Sequence, residues 1–442
     1  MVRVLNVGEK PSVAKEVSNV LSGNRHSSEA GVSQYNRVHR FGYQLRGYGQ
    51  CEMVFTSVSG HLMDHKFVDP AVKSWQGCDP SELFDTEVQK SVREGQEKVM
   101  ANLQQLARQC NVLVLWLDCD REGENIASEV ADVCREANPQ LQVRRAKFSA
   151  LTFADLTRAC NTLTDIHQGE SDAVDARAEI DLRSGAAFTR FQTNLLRDSI
   201  NMPDGQNVIS YGPCQFPTLG FIVDRWLAIK AFTPQDFWSI KCQCTDPNAA
   251  SVSVDFAWQR DSGRVYDRQI GAILLSQCLN AGVGKVVKAD GRRKSKCAPV
   301  PLATVEFQKR VSRWLHISSD VAMSIAEKLY QQGILSYPRT ETDQFGDTYD
   351  LKALVNLQTG NPNGQLAQYA SQILSQNARG MRRPRSGGND DKAHPPIHPT
   401  KPPPPGLSGN ELKVYDFVAR HFLACVSHDA DGEQSEVILR LA

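Results

Sequence analysis

Apolar residues follow two different spacings in the first 140 residues, and together these spacings predict an α/β domain. Residues 2–7 alternate as a strand does, and apolar positions between 13 and 21 recur on one helix face that Gly23 ends. Residues 112–117 are six consecutive apolar residues, as in a strand buried in a parallel sheet, and the helical spacing of residues 126–133 follows. Alternating strands and helices form such a domain, and its ligands bind where the strands end.

The pattern changes further along the chain, which has room for several domains. Residues 151–220 have mainly helical spacing, and residues 219–299 form short alternating segments, such as 238–244 and 251–257, that predict antiparallel strands. Residues 300–425 are again helical, and a last helix around 412–424 leads to the strand-like residues 437–441. The basic run from Lys288 to Lys296 is interpreted as a solvated link between two domains. The predicted domain ranges are 1–151, 152–218, 219–299, 300–425 and 426–442.

A tyrosine follows the clearest helix of the last large region. Its apolar residues Ala322, Ile325, Ala326 and Leu329 share one face, and Gly333 ends it. Tyr337 comes next, held in an extended backbone by Pro338, with Arg339 two residues on. Ionising a phenol at neutral pH costs about 4 kcal/mol. A nearby guanidinium lowers this cost and pairs with phosphate, so the segment suits a tyrosine nucleophile, although alone it also fits an ordinary turn.

Four carboxylates follow the buried strand within seven residues: Asp118, Asp120, Glu122 and Glu124. In an extended segment the first three project to the same side. Oxygen-only ligands in a partly hydrated loop favour a hard cation, and we predict Mg²⁺. The alternative is a helix N-terminus enriched in acids, which explains Glu122 and Glu124 but not the two aspartates before them.

Several motifs, in this order, resemble one known family. Glu9 and Lys10 after the first strand, the loop 59–61 and the Asp-x-Asp-x-Glu segment resemble a Toprim domain. Together with the segment from Ser336 to Thr342 they resemble the type IA DNA topoisomerases, in particular the eukaryotic topoisomerase III alpha branch. The resemblance extends over essentially the whole chain.

The resemblance implies a multidomain fold. We expect an N-terminal Toprim α/β domain, the first part of a helical DNA-entry domain, the first part of an antiparallel β arch, a winged-helix-like catalytic tyrosine domain and the start of the returning arch. Family members continue with the rest of the arch and of the helical domain. The resemblance therefore implies an incomplete type IA toroid, truncated at its C-terminus.

The resemblance also implies a reaction, ATP-independent transesterification of single-stranded DNA. Tyr337 would attack a phosphodiester and become linked to the 5′ phosphate, and strand passage would then relax or decatenate DNA. The chain has no phosphate loop of the Gly-x-x-x-x-Gly-Lys-Ser/Thr type, in agreement with an ATP-independent enzyme. Arg339 and Lys10 would stabilise the phosphate, and Glu9 would pass a proton to the departing 3′ oxygen. Asp118, Asp120 and Glu122 would hold Mg²⁺.

Further residues are candidate DNA contacts by the same resemblance. His394 matches a phosphate-contacting histidine, and Arg177, Ser210 and Gln215 match the region where single-stranded DNA enters. Many relatives have an arginine where this chain has Pro213. By spacing alone, Arg177 would form only a surface pair with Asp181. A further cluster either helps to hold nucleic acid or forms a solvated charged loop: Arg379, Arg382, Arg383 and Arg385.

Composition limits the location and partners of the protein. Fifty basic and fifty acidic residues cancel, so net charge gives no support to a generic nucleic-acid binder, although it does not exclude one. The twelve cysteines are scattered without a Cys-x-x-Cys pair, which favours a reducing compartment. No apolar run approaches the ~18 residues of a membrane span, and we expect no signal or transit peptide. The resemblance implies a nuclear protein that meets a RecQ-family helicase and an OB-fold accessory protein.

Two other interpretations stay open. A Toprim nuclease or primase-like enzyme would use the same carboxylates without needing Tyr337. A truncated, non-catalytic fragment would bind DNA or a partner protein without cutting.

Overall fold

The computed structural model describes residues 1–442 except 34, 76, 198, 200–206, 245–251, 257–262, 348, 376–379 and 442. The chain divides into two compact units. The first comprises Met1–Pro213 and Cys297–His428, and the second comprises Cys214–Lys296 and Asp429–Ala442. No helix among the described residues has the length and apolarity needed to cross a membrane.

The first unit begins with the predicted α/β domain. Its strands are β1 (Val2–Gly8), β2 (Ser27–Glu29), β3 (Val38–Leu45), β4 (Gly49–Ser57), β5 (Met63–Phe67), β6 (Val88–Val92), β7 (Val112–Trp116) and β8 (Gln142–Arg145). Its helices are α1 (Pro11–Ser22), α2 (Glu97–Ala107) and α3 (Arg121–Ala137). Six strands form one sheet in the order β2-β3-β4-β1-β7-β8, in which β1 is parallel to β4 and β7. Strands β5 and β6 form a separate antiparallel pair.

Burial on both faces of the sheet explains the apolar runs. All five residues of β7 are buried, as their unbroken apolar pattern predicts. Helix α1 packs its apolar face into the core on one side, and α3 into the core on the other. In the register of β1 and β7, Gly8 is opposite Trp116. The residues that follow these two strands, Glu9 and Asp118, are therefore brought to the same edge of the sheet.

Two helices follow the sheet in the first unit, α4 (Phe153–Asn161) and the long α5 (Gln168–Leu196). The hydroxyl of Thr152 caps α4 by accepting from the Asp155 amide at 3.3 Å. Helix α5 packs against α3, where Asn125 donates to the carbonyl of Ser171 and to the carboxylate of Asp175, at 3.1 and 2.9 Å. This contact fixes α5 beside the acidic end of α3.

The second unit differs from its prediction. It contains α6 (Gln215–Lys230), β9 (Lys241–Cys244), β10 (Val252–Asp255), α7 (Arg268–Ala281), β11 (Gly284–Lys296) and β12 (Ala430–Leu441). Two helices thus lie in a region predicted to be strands, and the predicted boundary at residue 218 falls inside α6. Neither helix has a buried residue. The apolar residues Leu219, Ile222, Val223, Trp226 and Leu227 of α6 follow helical spacing, so the prediction of strands overlooked a helix signal there.

The strands of the second unit form two antiparallel pairs. Strand β9 pairs with β10, which lies within the predicted strand 251–257; the two ends of that prediction fall outside the described residues. Strand β11 pairs with β12 from Gly284 opposite Leu441 to Lys296 opposite Ala430. The basic run 288–296 is therefore exposed, as predicted, but it is part of a paired strand and not a link. Its partner lies far along the chain, which local pattern does not show.

The rest of the first unit is the helical tyrosine region. Its helices are α8 (Thr304–Leu315), α9 (Ser319–Gln331), α10 (Leu351–Gln358), α11 (Gly364–Leu374) and α12 (Gly409–Cys425), and they share one apolar core. Helix α9 ends where its sequence predicts, and a serine caps its start. The Ser318 hydroxyl accepts from the Val321 amide at 3.4 Å, and Gly333 follows the helix with a φ of 68°. The predicted inner face is buried at Ala322 and Leu329.

The segment that carries Tyr337 is held by backbone hydrogen bonds on both sides. The Ser336 amide donates to the His398 carbonyl at 3.0 Å, and the Ser336 hydroxyl donates to the Pro396 carbonyl at 3.1 Å. The Tyr337 amide donates to the Ser149 carbonyl, just after β8, at 3.2 Å. The tyrosine backbone is therefore fixed between the sheet domain and residues 393–400.

Buried His398 predicts a pH dependence of stability. Its ring is 1% exposed, and Nδ1 donates to the Pro396 carbonyl at 2.7 Å. Burial lowers the pKa of His398 to about 4. The neutral His398 ring therefore contributes fully to the free energy of unfolding above about pH 6.5. This contribution is lost as the pH falls toward 4, because the unfolded chain then binds a proton that the folded chain does not. The loss approaches about 3 kcal/mol.

We expect His398→Gln to remove this part of the acid dependence. Urea unfolding at pH 7 and pH 4.5 measures it as a smaller pH-dependent loss in the variant than in the unsubstituted chain. His316→Asn is the control, because His316 is exposed and asparagine tolerates its φ of 55°. Equal losses in the His398→Gln variant and the unsubstituted chain would contradict the assignment.

Candidate active site

A cavity of about 180 Å³ lies where the ends of β1 and β7 meet the tyrosine segment, all within the first unit. The four predicted catalytic residues and the three predicted metal ligands all line it. The lining residues are Glu9, Lys10, Asp118, Asp120, Glu122, Glu327, Tyr330, Gln331, Tyr337 and Arg339. The structure therefore brings together groups that are more than 300 residues apart in the sequence.

Tyr337 is buried and points at the acidic loop. Its side chain is 4% exposed, and its hydroxyl donates to Oδ2 of Asp120 at 2.7 Å. Burial, then the nearby carboxylates of Asp118 and Asp120, raises the pKa of Tyr337 well above the ordinary value of a phenol. In this arrangement the phenol of Tyr337 is neutral, and its hydrogen bond fixes it toward Asp120.

Arg339 has a different partner from the one expected. We expected its guanidinium to lower the cost of ionising Tyr337, but both Nε and a terminal nitrogen donate to Oε1 of Glu327, at 2.8 and 2.5 Å. In this arrangement the carboxylate of Glu327 neutralises much of the guanidinium charge, and the expected effect of Arg339 on Tyr337 stays a prediction. Glu327 lies on α9, and nothing in the local sequence marks it as the partner of Arg339.

Asp118 is the one buried carboxylate among the residues that line the cavity. Its Oδ1 accepts from the Tyr330 hydroxyl at 3.0 Å, and its amide donates to Oε2 of Glu9 at 3.2 Å. Burial, together with the charges of Glu9 and Asp120, raises the pKa of Asp118 to about 8. The charge of Lys10, whose Nζ is 4.0 Å from Oε1 of Glu9, opposes this rise.

The acidic loop turns into a helix earlier than predicted. Oδ1 of Asp120 accepts from the Gly123 amide at 2.8 Å and so caps α3, which places Glu122 in the first turn of the helix. The prediction of an extended segment with three carboxylates on one side is therefore wrong. Glu122 instead accepts from Arg177 of α5, and its Oε2 is 3.0 Å from Nε2 of His61. Arg177 thus pairs with Glu122. Spacing alone predicted a pair with Asp181, and that prediction is wrong.

His61 continues this network toward the core. Its Nδ1 is 3.2 Å from Oε1 of Glu129, whose other oxygen accepts from the Leu62 amide at 2.8 Å. The hydrogen bond to Glu129 raises the pKa of His61, with Glu122 adding to the effect. A histidine between two carboxylates fixes the direction in which the Glu122 side chain points.

The carboxylates fit a metal in chemistry but are not assembled around one. No group of three or more His, Cys, Asp or Glu side chains among the described residues could hold a metal ion as placed. Asp120 is engaged with Tyr337, and Glu122 with Arg177 and His61. Oxygen donors of Glu9, Asp118 and Asp120 nevertheless line one cavity, and this donor set suits a hard divalent cation.

Arg145 is a structural residue of the site that sequence analysis missed. Its guanidinium is completely buried and donates to Oε1 of Glu124 at 3.0 Å. It also donates to the carbonyls of Leu117 and Asp118, at 2.8 and 2.7 Å. These bonds fix the end of β7 and the start of the acidic loop. In the sequence, Arg144 and Arg145 look like a solvated basic pair. The one signal of a buried arginine is the alternation of a strand, in which adjacent side chains point to opposite faces.

The four predicted DNA contacts lie in different parts of the structure, and none of them is among the lining residues of the cavity. The His394 ring is 4.3 Å from that of Tyr337, and neither of its buried nitrogens has a hydrogen-bond partner among the described residues. Burial lowers the pKa of His394 to about 4. Arg177 reaches the site through Glu122, whereas Ser210 is exposed and is not among the lining residues. Gln215 is the first residue of α6 and belongs to the second unit.

The arginine-rich loop is tied to the protein in part. Arg383 donates to the carbonyl of Phe345 at 3.2 Å and pairs with Asp347 at 2.9 Å, and Arg385 donates to the carbonyl of Ala298 at 3.4 Å. Arg379 lies outside the described residues.

Comparison with known proteins identifies the family. Residues 4–151 match the Toprim domain, and residues 165–442, more than half of the chain, match the DNA topoisomerase family. The chain belongs to the type IA DNA topoisomerases. Toprim domains in general bind metal ions.

Individual relatives cover the whole chain. DNA topoisomerase 3-alpha of Arabidopsis thaliana is 46% identical over 448 residues, which span 100% of this chain and 47% of the relative. DNA topoisomerase 3-alpha of Homo sapiens is 44% identical, and the match spans 100% of this chain and 43% of the relative. The chain thus spans about half the length of these curated relatives, which are eukaryotic. Full-length topoisomerase I from Thermotoga maritima shares the fold, with a TM-score of 0.68, 21% identity, and coverage of 99% of this chain and 63% of that one.

Two adjacent arginines allow a matched test of the buried network. Arg145→Met should destabilise the fold by about 3–5 kcal/mol, because the buried Glu124 carboxylate loses its close ion pair and keeps only the His167 amide and the longer contact to Lys147 at 3.9 Å. Arg144→Met should cost less than about 1 kcal/mol, because its partner Asp165 is 80% exposed. Urea unfolding of both variants measures the difference, and equal losses would show that Arg145 does not support the loop.

Proposed function

We propose that the chain carries the DNA-cleavage centre of a type IA DNA topoisomerase. In this proposal Tyr337 cuts one strand of DNA without ATP and forms a 5′-phosphotyrosyl bond that is later resealed. The observation that carries the proposal is the single cavity on which Tyr337, Arg339, Glu9, Lys10 and the acidic loop converge. Family membership supports the reaction class, and the chain's length relative to its relatives leaves the activity of this chain to be measured.

The proposed step exchanges one phosphate ester for another. The oxygen of Tyr337 forms a bond to phosphorus as the bond to the 3′ oxygen breaks, so the energy of the phosphodiester is retained in the phosphotyrosine. The phenol proton passes toward Asp120, which already accepts its hydrogen bond at 2.7 Å. Glu9 acts as a shuttle that takes up a proton from solvent and passes it to the departing 3′ oxygen, so one proton leaves the phenol and one reaches the leaving group. Religation is the same step in reverse.

Two cations are proposed to stabilise the phosphate. The Arg339 side chain is 61% exposed, so its guanidinium can exchange the Glu327 carboxylate for a phosphate and keep two donor hydrogens engaged. Lys10 approaches the same cavity from the end of β1, and its side chain is 39% exposed. Positive charge beside the phosphate stabilises the negative charge that moves toward the leaving oxygen. This stabilisation offsets the free-energy cost of ionising a buried phenol with a high pKa.

We propose Mg²⁺ as the cation of the acidic loop, held by Asp118, Asp120 and Glu122. Support comes from the oxygen donors that line the cavity and from the raised pKa of Asp118, which reflects negative charge crowded in a buried place. When bound, the ion would orient the phosphates of the DNA backbone. Glu122 joins this set only after it releases Arg177, and Arg177 is then free to contact a phosphate.

The remaining assignments rest on the family. His394, Arg177, Ser210 and Gln215 are proposed to contact single-stranded DNA, and the substrates to be negatively supercoiled or catenated DNA. Residues 1–151 and 300–425 would form the two halves of the centre, and 152–218, 219–299 and 426–442 would belong to the DNA-entry and arch regions. A nuclear location, a RecQ-family helicase and an OB-fold accessory protein are proposed by the same resemblance. Co-purification from nuclear extract tests the two partners.

Replacing the nucleophile tests the reaction. Tyr337→Phe should abolish the covalent protein–DNA adduct that denaturant traps on a labelled single strand, while binding of that strand changes less than about threefold. Tyr330→Phe is the matched control, since it removes a second phenol whose ring is 5.2 Å away. It should reduce adduct formation without abolishing it, because only the hydrogen bond to Asp118 is lost.

The same experiment separates the rival functions. Cleavage that persists without an adduct in Tyr337→Phe would favour a Toprim nuclease. Binding without any cleavage by the unsubstituted chain would favour a non-catalytic fragment.

Replacing one carboxylate tests the metal site. Asp118→Asn should weaken Mg²⁺ binding by at least about tenfold in isothermal titration calorimetry, because asparagine cannot release a proton to become a charged ligand as Asp118 can. Asp132→Asn, an exposed position on α3, should bind as the unsubstituted chain does. Undiminished binding by Asp118→Asn would remove the acidic loop as the site.

A further inference from the structure

A second cavity, of about 200 Å³, lies beside the N-terminal end of α1. It shares no lining residue with the candidate active site. Its walls come from α1, from the segment before and within β3, and from the end of β4. The lining residues are Pro11, Ser12, Ala14, Lys15, Tyr35, Arg37, His39 and Ser57.

The charge at this cavity is positive and not balanced locally. Lys15 and Arg37 both line it, and no carboxylate does. The described part of the chain places no acidic side chain within ion-pair distance of either residue. Arg37 donates instead to the hydroxyl and the carbonyl of Ser28, at 2.9 and 3.1 Å. Two cations that share a cavity without an anion attract one from solution.

The wall also contains a buried imidazole that lacks a partner. His39 is 5% exposed, and its Nδ1 has no hydrogen-bond partner among the described residues. Burial, followed by the charges of His26, Arg37 and Lys15, lowers the pKa of His39 to about 4. The ring of His26 is 4.9 Å away. A buried polar group without a partner costs free energy, which a bound hydrogen-bonding ligand recovers.

The helix end beside the cavity adds to the same preference. Helix α1 has no side-chain cap at Lys10, and its first turn contains no acidic residue. Its first amides and the positive end of its dipole are therefore not neutralised by the protein. Helix ends of this kind favour phosphate groups.

We propose that this cavity is a binding site for a phosphate group, separate from the cleavage centre. Lys15 and Arg37 supply the charge, and His39 supplies a buried donor. The phosphate comes either from the backbone of a DNA strand or from a free phosphate compound. The site does not depend on the proposed reaction of Tyr337.

Titration with inorganic phosphate at constant ionic strength tests the site. In the full chain with isotope-labelled histidines, we expect a saturable shift of the His39 ring signals. Arg37→Gln and Lys15→Gln should each weaken phosphate binding by about tenfold, because each removes a charge-assisted contact. Arg46→Gln is the control, because Arg46 is exposed in the turn between β3 and β4, outside the cavity.

Every result of the phosphate titration either supports the phosphate site or contradicts it. A His39 signal that does not shift, or an equal loss in Arg46→Gln, would overturn the proposal. Lys15 is exposed, so its variant keeps a folded test available if Arg37→Gln unfolds. A single-stranded oligonucleotide that shifts His39 and competes with phosphate identifies the DNA backbone as the source; a shift with phosphate alone identifies a free compound. Tyr337→Phe and Arg339→Gln should bind phosphate at His39 unchanged, even if the cleavage proposal fails.

Discussion

One buried guanidinium fixes the turn on which the candidate site depends. Arg145 uses all five of its donor hydrogens: one bond goes to Glu124, two to the carbonyls of Leu115 and Ala146, and two to those of Leu117 and Asp118. The chain leaves the sheet and enters α3 at this point. Because every donor is engaged without exposure to solvent, the backbone of the acidic loop has little freedom to move. The carboxylates of the loop are positioned by a cation that no substrate reaches.

The fixed loop then faces two phenols. Tyr330 donates to Asp118 and Tyr337 donates to Asp120, so two parallel hydrogen bonds join the helical tyrosine region to the sheet domain. Each bond favours the neutral phenol and leaves the aspartate as acceptor. The geometry therefore orients the proposed nucleophile and its proton acceptor together, while burial and the nearby carboxylates raise the pKa of the phenol.

Sequence patterns predicted the elements that bury one face and missed those that do not. Helix α9 and strand β7 were predicted because their apolar residues enter a core. Helix α6 was missed: it buries no residue, and apolar side chains lie on several of its sides as well as at helical spacing. In the site, adjacent parallel strands bring Glu9 beside the acidic loop, as expected of a sheet edge. The direction of Glu122 was mispredicted because it depends on where α3 begins, and hence on the cap by Asp120. The role of Arg145 arises only from tertiary burial.

The partners of the charged side chains explain how a chain with no net charge can suit a polyanion. Arg339 and Arg177 each donate to a carboxylate, Glu327 and Glu122 respectively, on the rim of the cavity. A phosphate offers the same kind of charged oxygen acceptor, so an exchange keeps the number of charge-assisted hydrogen bonds while it frees a carboxylate. One freed carboxylate, Glu122, belongs to the acidic loop. Phosphate binding at Arg177 and cation binding at the loop would therefore favour each other, since each removes a competitor of the other.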